Sequence, residues 1–355
     1  MSSNINYKNI YKMLMYAVEE LRCIKIRDIE YESFKALNDL YASILITSMQ
    51  IVLGKWLNQG YSRIESVTNK PKGKINIEKS IKNGYLQRGL LDYIYFKLEV
   101  DTAINRVIKL AIKILLSHPN GMSDTNKRKL NAILSRMYNV SDISLMGISI
   151  KSIDTQGLSE EYKSAFYISK ILIEEMITKE DGGERRLIDV EDEKRLPKLF
   201  EKFIRGYYKT KSVEHRNIRV SAKEFNKSKT ANTYFNKYKT DVTIENNDMN
   251  KTLIIDTKWH KDVLGNNLKI KSTNQMQLEV YIRNYKDINK EADINGILLY
   301  AKPNKSLDIE EIENEVYFVG EPEISRLYIK ILDLDQDFEL ATKKLDEIFN
   351  EFVLG

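Results

Sequence analysis

The 355-residue sequence has a single cysteine, Cys23, and only three histidines, His118, His215 and His260. One thiol excludes a disulfide framework, a CxxC redox pair and a four-thiolate iron-sulfur or zinc site, and it suits a reducing compartment. Three scattered histidines leave no histidine-based metal cluster. Proline (5) and glycine (15) are too scarce for a large disordered tract, and no internal repeat or low-complexity segment occurs. Long apolar runs are missing as well: Ile108 to Leu116 is interrupted by Lys109 and Lys113. Neither a signal peptide nor a membrane span is therefore expected, and the expected location is the cytoplasm. No G-x-x-x-x-G-K-[S/T] loop is present, so any nucleotide-driven step has to come from another polypeptide.

What remains is a chain rich in apolar and aromatic side chains, with 21 tyrosines and 11 phenylalanines, long enough for two cores. The 56 basic and 51 acidic residues give a net charge of +5. That balance is compatible with a nucleic-acid partner but describes mainly a solvated mixed-charge surface. The spacing of Ile10, Met13, Leu14 and Ala17 predicts a helix over 7–22, and a second follows over about 31–57. Alternating runs separated by Gly73, Gly84 and Gly89 predict a β-rich insertion over about 58–100. Helices return at 102–116, 124–137 and 159–178, the last with Ser159 as N-cap. Gly157 and Ser159 place a domain boundary near 158, giving an amino-terminal domain 1–158 and a second domain 159–355, with Asp181 to Arg186 as a competing boundary. The second domain is expected to hold a helix at 199–208, strands at 238–245 and 252–258, and a helix at 273–285. Strands at 296–301, 316–319 and 327–332 and a helix at 338–352 complete it. The class is α/β (α+β overall): a helical and β-rich amino-terminal domain, then a mixed sheet flanked by helices.

The informative stretch is YKTDVTIENNDMNKTLIIDTKWHK, Tyr238 to Lys261. Two strand-like runs flank a polar Asn/Asp turn, which predicts a hairpin. A turn centred between Asp248 and Met249 sets Val242 opposite Ile255 and Ile244 opposite Leu253, one consistent apolar face. The same register sets Asp241 opposite Asp256 on the other face, with Cβ atoms about 5 Å apart, and Lys258 projects the same way. Facing carboxylates repel unless a proton or cation lies between them. Mg²⁺, commonly held by one or two carboxylates with water and substrate phosphate, resolves the conflict, with Mn²⁺ as an alternative. Asp241 and Asp256 are then metal ligands, and Lys258 orients the nucleophile or stabilises charge at a scissile phosphate. Acid-x-Lys triplets recur at Glu161-Tyr162-Lys163 and Asp192-Glu193-Lys194; only Asp256-Thr257-Lys258 has an aspartate at the matching hairpin position.

Glu201, in the helical segment LFEKFIRGYY, is a further candidate ligand or an ordinary surface glutamate. Gln277 and Tyr281, spaced i, i+4, share a helix face from which they could reach the metal shell or a DNA phosphate, although Tyr281 could equally be core. His260 is at most a DNA contact.

The order Glu201, Asp241, Asp256-Thr257-Lys258, Gln277 and Tyr281 resembles the PD-(D/E)xK nucleases with a trailing Q-x-x-x-Y helix motif. In the amino-terminal half, Asn9-Ile10-Tyr11, Met13-Leu14, Tyr16-Ala17, Gly73-Lys74-Ile75 and Asp101-Thr102 with Asn105-Arg106 look like the McrC family, the nuclease subunit of the methylcytosine-dependent McrBC restriction system. The resemblance implies a restriction-endonuclease-like second domain that cuts double-stranded DNA. It also implies an McrB-type AAA+ GTPase ring that binds GTP and is stimulated by the amino-terminal half, and a dimer of this chain within the assembly. In that family the β-rich part enters the ring; here it carries Lys70, Lys72, Lys74, Lys79 and Arg88. The same basic run could bind DNA, or be a plain solvated hairpin. Thr240 stands where the motif has proline, and Trp259 follows Lys258; neither removes a metal ligand. Two other readings stay open: a self-sufficient RecB-like nuclease, and a non-catalytic adaptor that only activates a GTPase.

Overall fold

A computed structural model describes residues 7–21, 34, 36–55, 57, 59–118, 121–143, 150, 153–179, 185–187, 192–225, 237–259, 269–301, 312–313, 316–320 and 325–355. The chain forms two compact units, one of Met1–Arg22 with Val190–Gly355, the other of Cys23–Asp189. This differs from the boundary expected near 158 in two respects. The helix after Ser159 packs with the middle of the chain, and helix α1 (Tyr7–Ala17) belongs with the carboxy-terminal part. Gly157, at φ +74°, makes a turn within the middle unit and not a domain break.

The Cys23–Asp189 unit contains α2 (Leu37–Lys55), β1 (Gly60–Thr68), β2 (Lys74–Ile75), α3 (Ile77–Lys82), β3 (Leu91–Glu99), α4 (Ala103–Ser117), α5 (Asp124–Arg136), α6 (Glu160–Met176), β4 (Ile177–Lys179) and β5 (Arg185–Leu187). Among the described residues α2 is long and apolar enough to cross a membrane by length and composition. Its Leu37, Leu40, Tyr41, Ile44, Leu45 and Met49 are instead buried, and α2 packs against α5 and α6. The expected β-rich insertion is a three-stranded antiparallel sheet, order β1-β3-β2, with the short α3 inside it. The Asp101-Thr102 and Asn105-Arg106 motif is the joint at its base. Thr102 caps α4 by accepting from the Asn105 amide, and Asn105 Nδ2 donates to the Val100 carbonyl at 2.6 Å. Asp101 accepts from two Arg106 nitrogens at 2.7 Å and from Ser141 N and Oγ. The Arg106 bonds hold its carboxyl far below the usual range.

The other unit adds to α1 a long helix, α7 (Asp192–Ser212), then β6 (Ile218–Ser221), β7 (Glu224–Phe225), β8 (Tyr238–Lys239), β9 (Val242–Asn246) and β10 (Lys251–Lys258). It continues with α8 (Ser272–Ile288), β11 (Asp293–Ala301), β12 (Val316–Val319), β13 (Ser325–Leu332) and α9 (Phe338–Phe349), closing in a π-helical turn at Asn350–Leu354. The six-stranded sheet has the order β12-β13-β11-β10-β9-β6, with β10, β11 and β13 parallel and the remaining neighbours antiparallel. It is the mixed sheet expected, flanked by helices. Leu278, Ile282 and Tyr285 of α8 form one core with Ile254, Ile294, Leu298 and Tyr300 on a face of the sheet. α7 and the terminal turn pack on β9 and β10 as well. With cover on both faces, Val242 to Ile244 and Thr252 to Asp256 are all buried, which the simple alternation did not anticipate.

Helix α7 runs well past the expected 199–208 and contains Pro197 in its second turn, where the ring removes one amide donor from the helix ladder. Tyr16 of α1 stacks among Phe203 and Tyr207 of α7 and Phe338 of α9, with ring centroids 5.1 to 6.0 Å apart. Asn9, buried, donates to the carbonyls of Leu334 and Gln336 at 2.6 and 2.8 Å. The amino-terminal string is thus a part of this unit's core and not of the Cys23–Asp189 unit.

Candidate active site

Hairpin β9–β10 has the register deduced from the sequence: Val242 pairs with Ile255, Ile244 with Leu253 and Asn246 with Lys251. The turn is held by Asn246 Oδ1, which accepts from the Asp248 and Met249 amides, and by Asn250, whose φ of +51° a short polar side chain tolerates. The ladder ends at Val242, and Asp241 sits just outside it. Its Oδ2 accepts from the Thr257 amide at 2.8 Å and the Thr257 hydroxyl at 2.7 Å, which ties Asp241 to the end of β10 beside Asp256.

Asp256 is wholly buried. Its Oδ1 has no hydrogen-bond partner, and its Oδ2 is met by the Lys258 ammonium at 2.7 Å. Burial pushes its carboxyl up to about 6; the Lys258 charge opposes this, while Asp241 and then Glu201 add to it. Glu201, on α7, is raised chiefly by burial and next by Asp241. The Tyr281 hydroxyl is also raised, first by burial, with the charges of Asp256, Asp241 and Glu201 contributing. Three carboxylates thus act on one another in a partly dry pocket.

Helix α8 reaches the same pocket. Lys258 Nζ donates to Gln277 Oε1 at 3.0 Å, and Gln277 Nε2 donates to the Tyr281 hydroxyl at 2.8 Å. The i, i+4 pair holds the lysine, and Tyr281 is both buried core and the end of this chain of bonds. Glu201 is near but turned aside, paired with Arg205 four residues along α7. Arg205 Nε also donates to the Asp241 carbonyl at 2.9 Å. Arg205 and Thr257 were not singled out from the sequence, although the i, i+4 spacing of Glu201 and Arg205 was a legible signal.

Among the described residues no three His, Cys, Asp or Glu side chains form a metal-holding group by themselves. Asp241 and Asp256 are the two that fit a hard cation, because Asp256 offers a buried oxygen with no partner and Mg²⁺ is commonly held by one or two carboxylates. His260 lies outside the described residues. Lys70, Lys72, Lys74 and Arg88 are exposed and belong to the Cys23–Asp189 unit, not to this site.

Residues 2–301 match the family described as McrBC 5-methylcytosine restriction system component. The chain belongs to this family. A curated relative, the type IV methyl-directed restriction enzyme EcoKMcrBC of Escherichia coli K12, is 24% identical over 98% of each chain. Among solved structures, the refined half-complex from the tetradecameric assembly of Thermococcus gammatolerans McrB AAA+ hexamers with bound McrC aligns with 97% of this chain and 76% of that one. The TM-score is 0.53 and the identity 14%, a likeness of fold. In this member of the McrBC family, Thr240, the residue before Asp241, is anchored on both sides. It exchanges backbone and hydroxyl bonds with Lys223 at 3.0 and 2.8 Å, and its hydroxyl meets that of Thr243 at 2.8 Å. Trp259 packs edge-on against Phe200, 5.6 Å between centroids, closing the end of β10.

Proposed function

We propose that the chain is the DNA-cutting subunit of a GTP-driven McrBC-type restriction complex, a PD-(D/E)xK endonuclease dependent on Mg²⁺. The observation that carries this reading is the Asp256 carboxylate, buried beside Asp241 with Lys258 on one oxygen and no hydrogen-bond partner on the other. Burying a carboxylate that one ammonium only partly compensates, next to a second carboxylate, is costly, and such a cost persists at sites where a ligand supplies the missing charge. Asp241 and Asp256 would hold the cation, and Glu201 would join them through water once released from Arg205. When bound, Mg²⁺ supplies a Lewis acid that offsets charge on a scissile phosphate and acidifies water. Lys258, held by Gln277, aims its ammonium at the phosphate, and Thr257 fixes the Asp241 carboxylate. The bond broken is a phosphodiester.

The Cys23–Asp189 unit is proposed to bind an McrB-type AAA+ ring. Its sheet exposes Ile77 and Ile81 of α3 (62% each), Phe96 (64%) and Leu98 (47%) beside Lys70, Lys72, Lys74 and Arg88, a mixture of apolar and basic surface suited to a protein partner.

The test combines this chain with an McrB-type GTPase, GTP, Mg²⁺ and methylated double-stranded DNA. Cutting is expected only in the complete mixture. Asp256→Ala should reduce it by on the order of 10²- to 10³-fold while stimulation of GTP hydrolysis persists. Cutting that survives this substitution undiminished would place the chemistry elsewhere. Gln277→Ala should lower kcat roughly tenfold with little change in KM, the loss of one bond to a charged group; a pure KM effect would show that Gln277 binds DNA and does not position Lys258.

A further inference from the structure

A cleft of about 390 Å³ opens between α1 and α7, lined by Tyr16 and Glu19 on one side and by Lys202, Arg205, Gly206 and Lys209 on the other. It exists because α1 crosses α7 at Gly206, where the Tyr16 carbonyl approaches so closely that a Cβ would lie 1.9 Å from it. Lys202, Arg205 and Lys209 are spaced i, i+3 and i+7, so one face of α7 presents three cations to the cleft. Among the described residues Glu19 is the only carboxylate in its lining. Among the described residues no carboxylate pairs with Lys202 or Lys209, whereas Lys211, nearby on the same helix, is engaged by Asp346 at 2.8 Å and lies over the Tyr207 ring. Arg205 belongs to both places: it lines the cleft and also binds Glu201 and the Asp241 carbonyl. The cleft is therefore next to the carboxylate cluster.

We infer that this cleft seats the sugar-phosphate backbone of the DNA strand flanking the cut, with Lys202 and Lys209 as positioning residues that contact phosphates. Their Cα atoms are about 10 Å apart along the helix, a span longer than one phosphate step of a strand. A polyanion matches a face that presents Lys202 and Lys209, which no described carboxylate engages, and phosphate contacts fix register without reading sequence. The inference rests on the nuclease reading of the neighbouring cluster.

Equilibrium binding of the full chain to a fluorescent 20-base-pair duplex, in EDTA over a salt series, tests it. Lys202→Gln with Lys209→Gln should make log K versus log salt shallower by about 2, at roughly 0.9 per lost phosphate contact, and weaken binding at least tenfold at the lowest salt. Lys129→Gln with Lys343→Gln, two exposed lysines elsewhere, should leave the slope unchanged, and Lys202→Arg with Lys209→Arg should restore it. In the cleavage assay the Gln pair should raise KM with kcat within about twofold. An unchanged slope, or no duplex binding by the unsubstituted chain, overturns the inference. Asp256→Ala keeps the two proposals apart, because it should abolish cutting and leave the salt slope in place. If cutting survives it while the lysine pair still governs the slope, the nuclease site falls and the backbone cleft stands.

Discussion

Asp256→Asn should make the folded chain more stable, by about 2 to 3 kcal/mol at pH 8 without divalent metal, from a pKa difference of roughly two units at 1.36 kcal/mol each. The folded protein raises this carboxyl to about 6, against about 3.9 in the unfolded chain. Between those values the folded state holds the proton more tightly, so stability falls as pH rises from about 4 through 6 and stays at the lower level above. Asparagine keeps the shape and has no charge to desolvate, so its advantage should be near zero at pH 4 and complete by pH 7. Urea unfolding followed by Trp259 fluorescence in a Trp56→Phe background reads it directly, since the chain has only these two tryptophans. Excess Mg²⁺ should narrow the gap by binding the folded aspartate protein alone. An Asn variant less stable than its parent at pH 8 would contradict the picture of Asp256 as a buried charge that Lys258 only partly compensates.

Gly206→Ala should destabilise the same unit by about 3 kcal/mol or more, the upper range for overpacking. Helix propensity alone predicts the opposite sign, since alanine is favoured over glycine by about 1 kcal/mol within a helix. The new methyl group would meet the Tyr16 carbonyl at 1.9 Å, and backbone cannot step aside as a side chain does. Moving α1 would pull Tyr16 from Phe203, Tyr207 and Phe338 and break the Asn9 bonds to Leu334 and Gln336. Gly54→Ala in α2 is the control: nothing lies within 4 Å of its added carbon, so propensity should prevail and stability rise by about 0.5 to 1 kcal/mol. Equal shifts for the two substitutions, measured as unfolding midpoints, would show that α1 is not clamped at Gly206.

Periodicity and turn chemistry in the β9–β10 segment determined, without coordinates, that Val242 faces Ile255 and Ile244 faces Leu253, because a shift of one residue would turn every side chain over. The cap at Ser159 and the shared face of Gln277 and Tyr281 were equally legible, being interactions between near neighbours. Only the tertiary structure decided that Gln277 holds Lys258, that Arg205 occupies Glu201, and that α1 joins a unit whose other residues begin near 190. Those outcomes depend on surfaces brought together across gaps of up to hundreds of residues. A pattern of 3.6 or 2 shows which face of an element is apolar, but not which distant element will cover it.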